Sequence, residues 1–329
     1  MDKKQIYNLN TQMVSLENIN LNIGPYTMSF DFDSWLLMES IKRVGLINCP
    51  ILIKEDKPAF TIITGFRRIN ALNALDMTSI PCRILPENCF KPLDCLLLNL
   101  YENLAVRELN DIEKGMILLR LSHFFSDKEI LEDYMPMIGL PSNKKDLELY
   151  KALVEILEKD IKKALVQQRL TLQTAKLLLK LHPEARQAIC KLLLKLNLSL
   201  NNQKQLIDIL HDISLNEDIT ISDIIDNPDI IRIYLDANLN VPQKGRAVLA
   251  YLRSRHYPIL TKAETAFKKN IAQLKLPKGS TLSAPQYFEA SNFRLEILFE
   301  DGNDLTEKLA RLSALKALQN LKSPIEGLL

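Results

Sequence analysis

The residues best suited to chemistry stand in one run, Phe60-Thr-Ile-Ile-Thr-Gly-Phe-Arg-Arg-Ile-Asn-Ala71. A short β-branched stretch meets a single glycine, and two adjacent arginines follow at the start of a helical pattern. Cations in the first turn of a helix are disfavoured by roughly 0.3–1 kcal/mol each. Arg67 and Arg68 in that position make sense around an anion. Gly65 lets the backbone approach, free amides point at the ligand, and the guanidiniums clamp it. The alternative reading of the bare pattern is two arginines on a solvated helix face.

Other chemistries find little support. The nine glycines form neither G-x-x-x-x-G-K-[ST] nor G-x-G-x-x-G, which argues against a Walker-type NTPase and a Rossmann dinucleotide site. The five cysteines (Cys49, Cys82, Cys89, Cys95, Cys190) lack C-x-x-C spacing, and the four histidines are scattered, so no zinc pattern exists. Cys49 and Cys82 are expected in the core. No apolar run approaches the ~20 residues that span a bilayer. Met1-Asp-Lys-Lys-Gln-Ile lacks the apolar core of a signal peptide. The expected compartment is a reduced cytoplasm, with no membrane partner.

The formal charge of +2 is unevenly spread. Residues 161–210 carry nine Lys/Arg against two acids, a net +7, and residues 211–240 carry one against seven, a net −6. That juxtaposition predicts a polyanion-facing region followed by a solvated linker. Lysines that simply coat helices are the alternative.

These features need elements to position them. Strands are predicted at Met13–Ser15, Pro50–Ile53, Phe60–Ile63 and Ile80–Leu85, with helices at Ser34–Val44 and Arg67–Leu75, a small α/β unit. From about residue 103 the pattern is helical. Asn110-Asp-Ile-Glu113 can cap a helix with Ile112, Met116, Leu119 and Phe124 on its apolar face. Ser126-Asp-Lys-Glu129 has the form of a capping box. Pro136 and Gly139 interrupt, and Ser142 can start a helix carrying Leu147, Tyr150, Leu153, Val154 and Leu157. Helix, short break, helix is helix-turn-helix grammar, with Asn143, Lys144, Lys145 and Lys151 as the DNA-facing groups. An ordinary αα-hairpin is the alternative. Lys162, Lys163 and Arg169 of the basic block extend the expected DNA surface. Further helices fit Leu172–Leu181, Pro183–Leu196 and Leu200–Asp212, and Lys244–Leu274 reads as helical with a break near Pro258. The tail reads as strands Gln286–Phe288 and Phe293–Phe299 and helix Leu305–Leu321. A ββα unit that small can barely bury its own core, which predicts a homodimer with Leu295, Ile297 and Phe299 in the shared core.

Several blocks stand in a familiar order: Val14-Ser-Leu-Glu-Asn-Ile19, Ser40-Ile-Lys-Arg-Val-Gly-Leu-Ile-Asn-Cys-Pro-Ile51, Thr64-Gly-Phe-Arg-Arg68, Ile80-Pro-Cys-Arg-Ile84, and Glu102-Asn-Leu-Ala-Val-Arg-Glu-Leu-Asn-Asp-Ile-Glu113. Together they resemble the ParB family of partition proteins. Arg169-Leu-Thr-Leu-Gln-Thr-Ala-Lys-Leu-Leu-Leu179 and Leu198-Ser-Leu-Asn201 resemble the helical bundle behind that family's helix-turn-helix. The resemblance implies an α+β chain with a ParB-like domain over 1–102 and a helix-turn-helix domain over 103–225. Asn227-Pro228 and Asn240-Val-Pro242 punctuate a linker over 226–242, and the small ββα unit makes 243–329 a dimerisation unit, to which no resemblance extends. The resemblance also implies a cytidine triphosphate (CTP)-dependent clamp on double-stranded DNA, nucleoid-associated and working with a partition ATPase. Thr64, Gly65, Phe66, Arg67, Arg68, Glu102, Asn103 and Arg107 would bind the nucleotide, and Glu102 and Asn103 would hold Mg²⁺.

The chain departs from that pattern. Phe66 stands where the family has an acid, Ala105 and Val106 replace a Gln-Arg pair with Arg107 one place later, and Gly24-Pro-Tyr-Thr-Met-Ser29 replaces a Pro-Arg segment. At most a slow CTPase is expected. Two other readings stay open: a scaffold or transcriptional regulator without nucleotide switching, and a ParB-fold kinase or nuclease. For a nuclease only Glu102, with Asp94 or Glu108, offers carboxylates.

Overall fold

The computed structural model describes residues 9–54, 59–86, 89–288, 292–316, 318 and 321. It divides into two compact units, Met1–Cys190 and Lys191–Leu329.

The first unit opens with a four-stranded sheet. Its strands are β1 (Thr11–Ser15), β2 (Ile51–Ile53), β3 (Thr61–Thr64) and β4 (Ser79–Leu85), in spatial order β1-β4-β2-β3. β1 pairs antiparallel with β4, β4 parallel with β2, and β2 antiparallel with β3. Helices α1 (Trp35–Val44) and α2 (Phe66–Asn73) accompany it. Val14, Leu52, Ile62, Ile69, Leu72, Ile80 and Cys82 form the buried core, as the alternating β-branched runs imply. Burial, with Cys49 close by, pushes the Cys82 thiol up to about 12, so Cys82 is an inert core residue.

Helix α3 (Pro92–Val106) begins eleven residues before the expected onset of helical structure at 103 and runs through position 102/103. Its run Cys95-Leu-Leu-Leu-Asn-Leu100 has no polar alternation to announce a helix, although Pro92 sits in the first turn, where proline is tolerated. α3 packs on edge strand β3, where Asn99 donates its amide to the Ile63 carbonyl and satisfies a group the sheet leaves open.

The rest of the unit is helical: α4 (Asp111–Leu121), α5 (127–137), α6 (Lys144–Glu155), α7 (Lys159–Val166), α8 (Leu172–Leu178) and the start of α9 (Pro183–Leu196). The Asn110–Glu113 and Ser126–Glu129 capping boxes both form. Phe124, expected on the face of α4, lies beyond its end and is exposed. Pro136 does not end its helix. A π turn over Ile130–Tyr134 precedes it, and that wider turn relieves the clash a proline ring makes with the preceding turn. The cap of α6 is Asn143, not Ser142.

Helices α4 and α6 cross at Gly115. A Cβ there would lie 2.3 Å from the Tyr150 carbonyl oxygen and 2.7 Å from Val154 Cγ2. Alanine would gain about 1 kcal/mol of helix propensity, but the clash is with backbone, and overpacking of this kind costs about 1–3 kcal/mol. With a backbone oxygen only 2.3 Å away the upper end of that cost applies, and Gly115→Ala is expected to lower stability by about 2 kcal/mol net, read as a lower urea midpoint at unchanged slope.

The second unit holds α10 (Leu200–Glu217), α11 (Ile221–Ile225), α12 (Pro228–Leu235), α13 (Val241–His256), α14 (Pro258–Leu274), β5 (Ser280–Ser283), β6 (Arg294–Ile297) and α15 (Gly302–Ser313). The stretch 226–242 contains a helix, α12, capped by Asn227 with Pro228 at its first position. β6 pairs antiparallel with β5, Leu282 opposite Leu295. The expected strand Gln286–Phe288 is instead a turn, because Tyr287 and Phe288 adopt φ of 54° and 56°, incompatible with extended backbone. α15 starts earlier than expected, with Asp301 as cap, and ends at Ser313. Residues 317, 319 and 320 of the expected helix lie outside the described ones. A small core forms from Phe267, Leu274 and Leu282 with Ile271, Phe288 and Phe293 around it.

Candidate anion site

Gly65 ends β3 and caps α2 in the left-handed conformation, φ 84°. A Cβ there would meet Pro50 Cα and Cβ at 3.0 Å and Arg68 Nε at 3.1 Å, so glycine is required by both strain and space. No side chain caps α2, which leaves its first amides without a side-chain acceptor. The neighbouring Thr64 hydroxyl is buried with no hydrogen-bond partner among the described residues. Phe66 points into the core and packs edge-on against Phe32, with ring centroids 6.0 Å apart. An acid could not occupy that place without unpaired burial.

The two arginines already have partners. Arg67 donates Nη2 to Glu113 Oε1 at 2.6 Å and Nε to Ser29 Oγ at 3.3 Å, with its guanidinium 4.9 Å from the Phe32 ring centre. Arg68 pairs with Glu102 and donates Nη1 to the Asn48 carbonyl at 2.8 Å. Arg107, just past α3, joins the same cluster. It donates Nη1 to Glu113 Oε2 at 2.6 Å, Nη2 to the Met28 carbonyl at 2.8 Å and Nε to Asn103 Oδ1 at 2.7 Å. Burial and the neighbouring Arg107 together hold the Arg67 pKa below its ordinary value.

Glu113 is the hub that sequence reasoning missed. Its side chain is 1% exposed, and besides two arginines it accepts from the amides of Phe30 at 3.2 Å and Asn110 at 3.1 Å. Its signal in the sequence was that of a capping-box glutamate. Nothing local shows that the same carboxylate reaches Arg67, 46 residues away.

A third guanidinium reaches the loop that precedes α1. Arg120 donates Nη2 to the Gly24 carbonyl at 3.1 Å, and burial lowers its pKa to about 10. Arg67, Arg107 and Arg120 thus border residues 24–30 with one carboxylate, Glu113, among them. The excess charge is positive, which suits an anion. The expected metal pair fares differently. In this structure oxygens of both Glu102 and Asn103 accept from guanidiniums, and no cluster of His, Cys, Asp or Glu among the described residues could hold a metal ion.

This left-handed glycine, the two-arginine turn and α3 as far as Asn103 lie within a region that matches a family model, ParB N-terminal domain, over residues 2–103. The chain carries a ParB N-terminal domain. Beyond it, the solved structures that resemble the chain include the C-terminally truncated chromosome-partitioning protein ParB from Caulobacter crescentus complexed to the centromeric parS site. That match has 16% identity, a TM-score of 0.32, and covers 60% of this chain and 98% of that one. The same protein complexed with CTP-gamma-S matches at 18% identity and a TM-score of 0.26, covering 56% and 98%. Scores this low carry no weight for the arrangement of the chain. A search of curated proteins finds no match.

Behind the ParB N-terminal domain, the expected DNA-facing residues divide. Lys144 and Lys145 are exposed on α6, and Lys144 lies 3.8 Å from Glu148. Asn143 caps α6 and donates to Asp146. Lys151 pairs with Asp127 at 3.2 Å. Lys162 donates to the Val154 carbonyl, and burial lowers its pKa. Lys163 lies 4.0 Å from Asp31. Arg169, exposed beyond α7, has an interaction of its own. Arg186, also counted in the basic block, is 4% exposed and held by Glu158 at 2.8 Å, which keeps the Glu158 carboxyl below its usual range. Residues 126–160, which hold α5 and α6, carry five Lys/Arg against nine acids, a net −4.

Proposed function

We propose that the chain is a partition-type protein that binds double-stranded DNA, and that the Gly65–Arg68 turn binds a nucleoside triphosphate, CTP first among them. The observation that carries this is the ParB N-terminal domain match together with a left-handed, uncapped glycine opening a helix on two arginines. The α2 amides and the Arg67 and Arg68 guanidiniums would take the phosphates, exchanging Glu113 and Glu102 for ligand oxygens. Arg107 stands ready beside Arg67. No metal is assigned, because no group of three or more His, Cys, Asp or Glu among the described residues is placed to hold one. Duplex DNA would be met by α6 through Asn143, Lys144 and Lys145. The setting is the nucleoid, with a partition ATPase and a second copy of the chain as partners, the latter through the apolar side of the C-terminal strands.

The test is titration calorimetry with CTP, ATP and GTP in the presence of duplex DNA. CTP is expected to bind, and Arg68→Ala to weaken it by about tenfold or more, the worth of a charge-assisted hydrogen bond. Phosphate release should be slow or absent, since Ala105 has no polar group to orient water. A second reading, a scaffold without nucleotide switching, is favoured by the internal pairing of both arginines. Failure of all three nucleotides to bind at millimolar concentration would select it.

A further inference from the structure

A groove of 440 Å³ in the second unit runs between α10, α13 and α14. Arg246, Arg253 and Lys268 line it with Asn202, Gln205, Thr261 and Thr265, and only Leu249 and Ala250 are apolar. Glu264 is its one acid and pairs with Arg253 at 2.9 Å. Arg246 and Lys268 are exposed and have no carboxylate partner among the described residues. The chain around the groove is strongly cationic: residues 241–279 carry nine Lys/Arg against one acid, a net +8. That exceeds the excess in residues 161–210, and it contrasts with the net −4 of residues 126–160.

We propose that this groove is a second nucleic-acid contact, one that holds the phosphate backbone of duplex DNA without reading its sequence. The lining donors, two free cations with hydroxyls and amides, match phosphate oxygens. Among the described residues no aromatic side chain lines the groove to stack a base. It also lacks the buried apolar anchor on which a protein partner's affinity would centre. The proposal rests on the duplex-binding reading but needs neither the nucleotide nor α6.

The test uses the full chain and a fluorescent duplex of random sequence, without nucleotide, with affinity followed by anisotropy across salt concentration. Arg246→Ala with Lys268→Ala is expected to weaken binding at least about tenfold near 0.1 M salt and to flatten the salt slope by about two, one for each phosphate that is no longer neutralised. Lys144→Ala with Lys145→Ala should leave the groove's share of the slope in place. Lys268→Gln alone, a milder change at an exposed position, should flatten the slope by about one. Unchanged affinity and slope in the double variant, with wild type binding the duplex, would overturn the groove while leaving the duplex reading intact. No binding by wild type would overturn both. Equal loss of binding to polyglutamate would replace DNA with an acidic protein as the occupant and so overturn the proposal.

Discussion

Glu113→Gln is expected to destabilise the first unit by about 3 kcal/mol, the low end of the cost of breaking a buried ion pair. The low end applies because the Arg67 and Arg107 side chains keep 30% and 16% of their exposure and can recover some hydration. The amide also turns a donor toward donors, since Arg107 Nη1 and the Asn110 amide both aim at Oε2. Urea denaturation at constant slope measures it. A double-mutant cycle with Arg67→Met separates the pair from the cap, and a coupling of about 1 kcal/mol or more is expected. A loss below about 1 kcal/mol would mean that Glu113 acts as an ordinary helix cap.

Charge placed just past the end of β6 is expected to have the other large effect. Leu295, Leu298 and Phe299 are 43%, 68% and 53% exposed, and Leu309 on α15 is 49% exposed. Burying one such side chain is worth about 1.5–3 kcal/mol, and a symmetric interface counts each twice. Leu298→Glu with Phe299→Glu should therefore weaken a dimer by at least about a thousandfold. Light scattering of the full chain at concentrations on the order of tens of micromolar should show a dimer for wild type and a monomer for the variant. A wild-type monomer there would remove the dimer. So would a variant that remains dimeric.

The sheet of the first unit was legible because Ile51–Ile53 and Thr61–Thr64 are mostly β-branched and Ser79–Leu85 places apolar Ile80, Cys82 and Ile84 at alternate positions. Capped helices were legible for a similar local reason, as at Asn110 and Ser126. Strand β5 was not. Ser280-Thr-Leu-Ser283 has one apolar residue, and only its pairing with Arg294–Ile297 makes it a strand. Helix α7 escaped notice because no side-chain cap announces its start at Glu158, and α12 because its Asn227-Pro228 opening reads equally as loop punctuation. At the site, residue types marked Gly65, Arg67 and Arg68. Their carboxylate partners depend on how α3 and α4 fold back, which is tertiary information.

The continuity of α3 sets where the chain can be divided in the laboratory. A fragment ending at residue 102, where the helical region was expected to begin, would cut α3 four residues short of its end. It would lose Arg107 and Glu113, stripping Arg67 of its carboxylate. A fragment ending before Pro92 would also uncover β3 and orphan the Ile63 carbonyl. A soluble piece for crystallisation or spectroscopy should carry the helices behind the sheet with it, at least through α4. Antibody or protease accessibility between residues 92 and 106 would then report on whether the sheet has kept its cover.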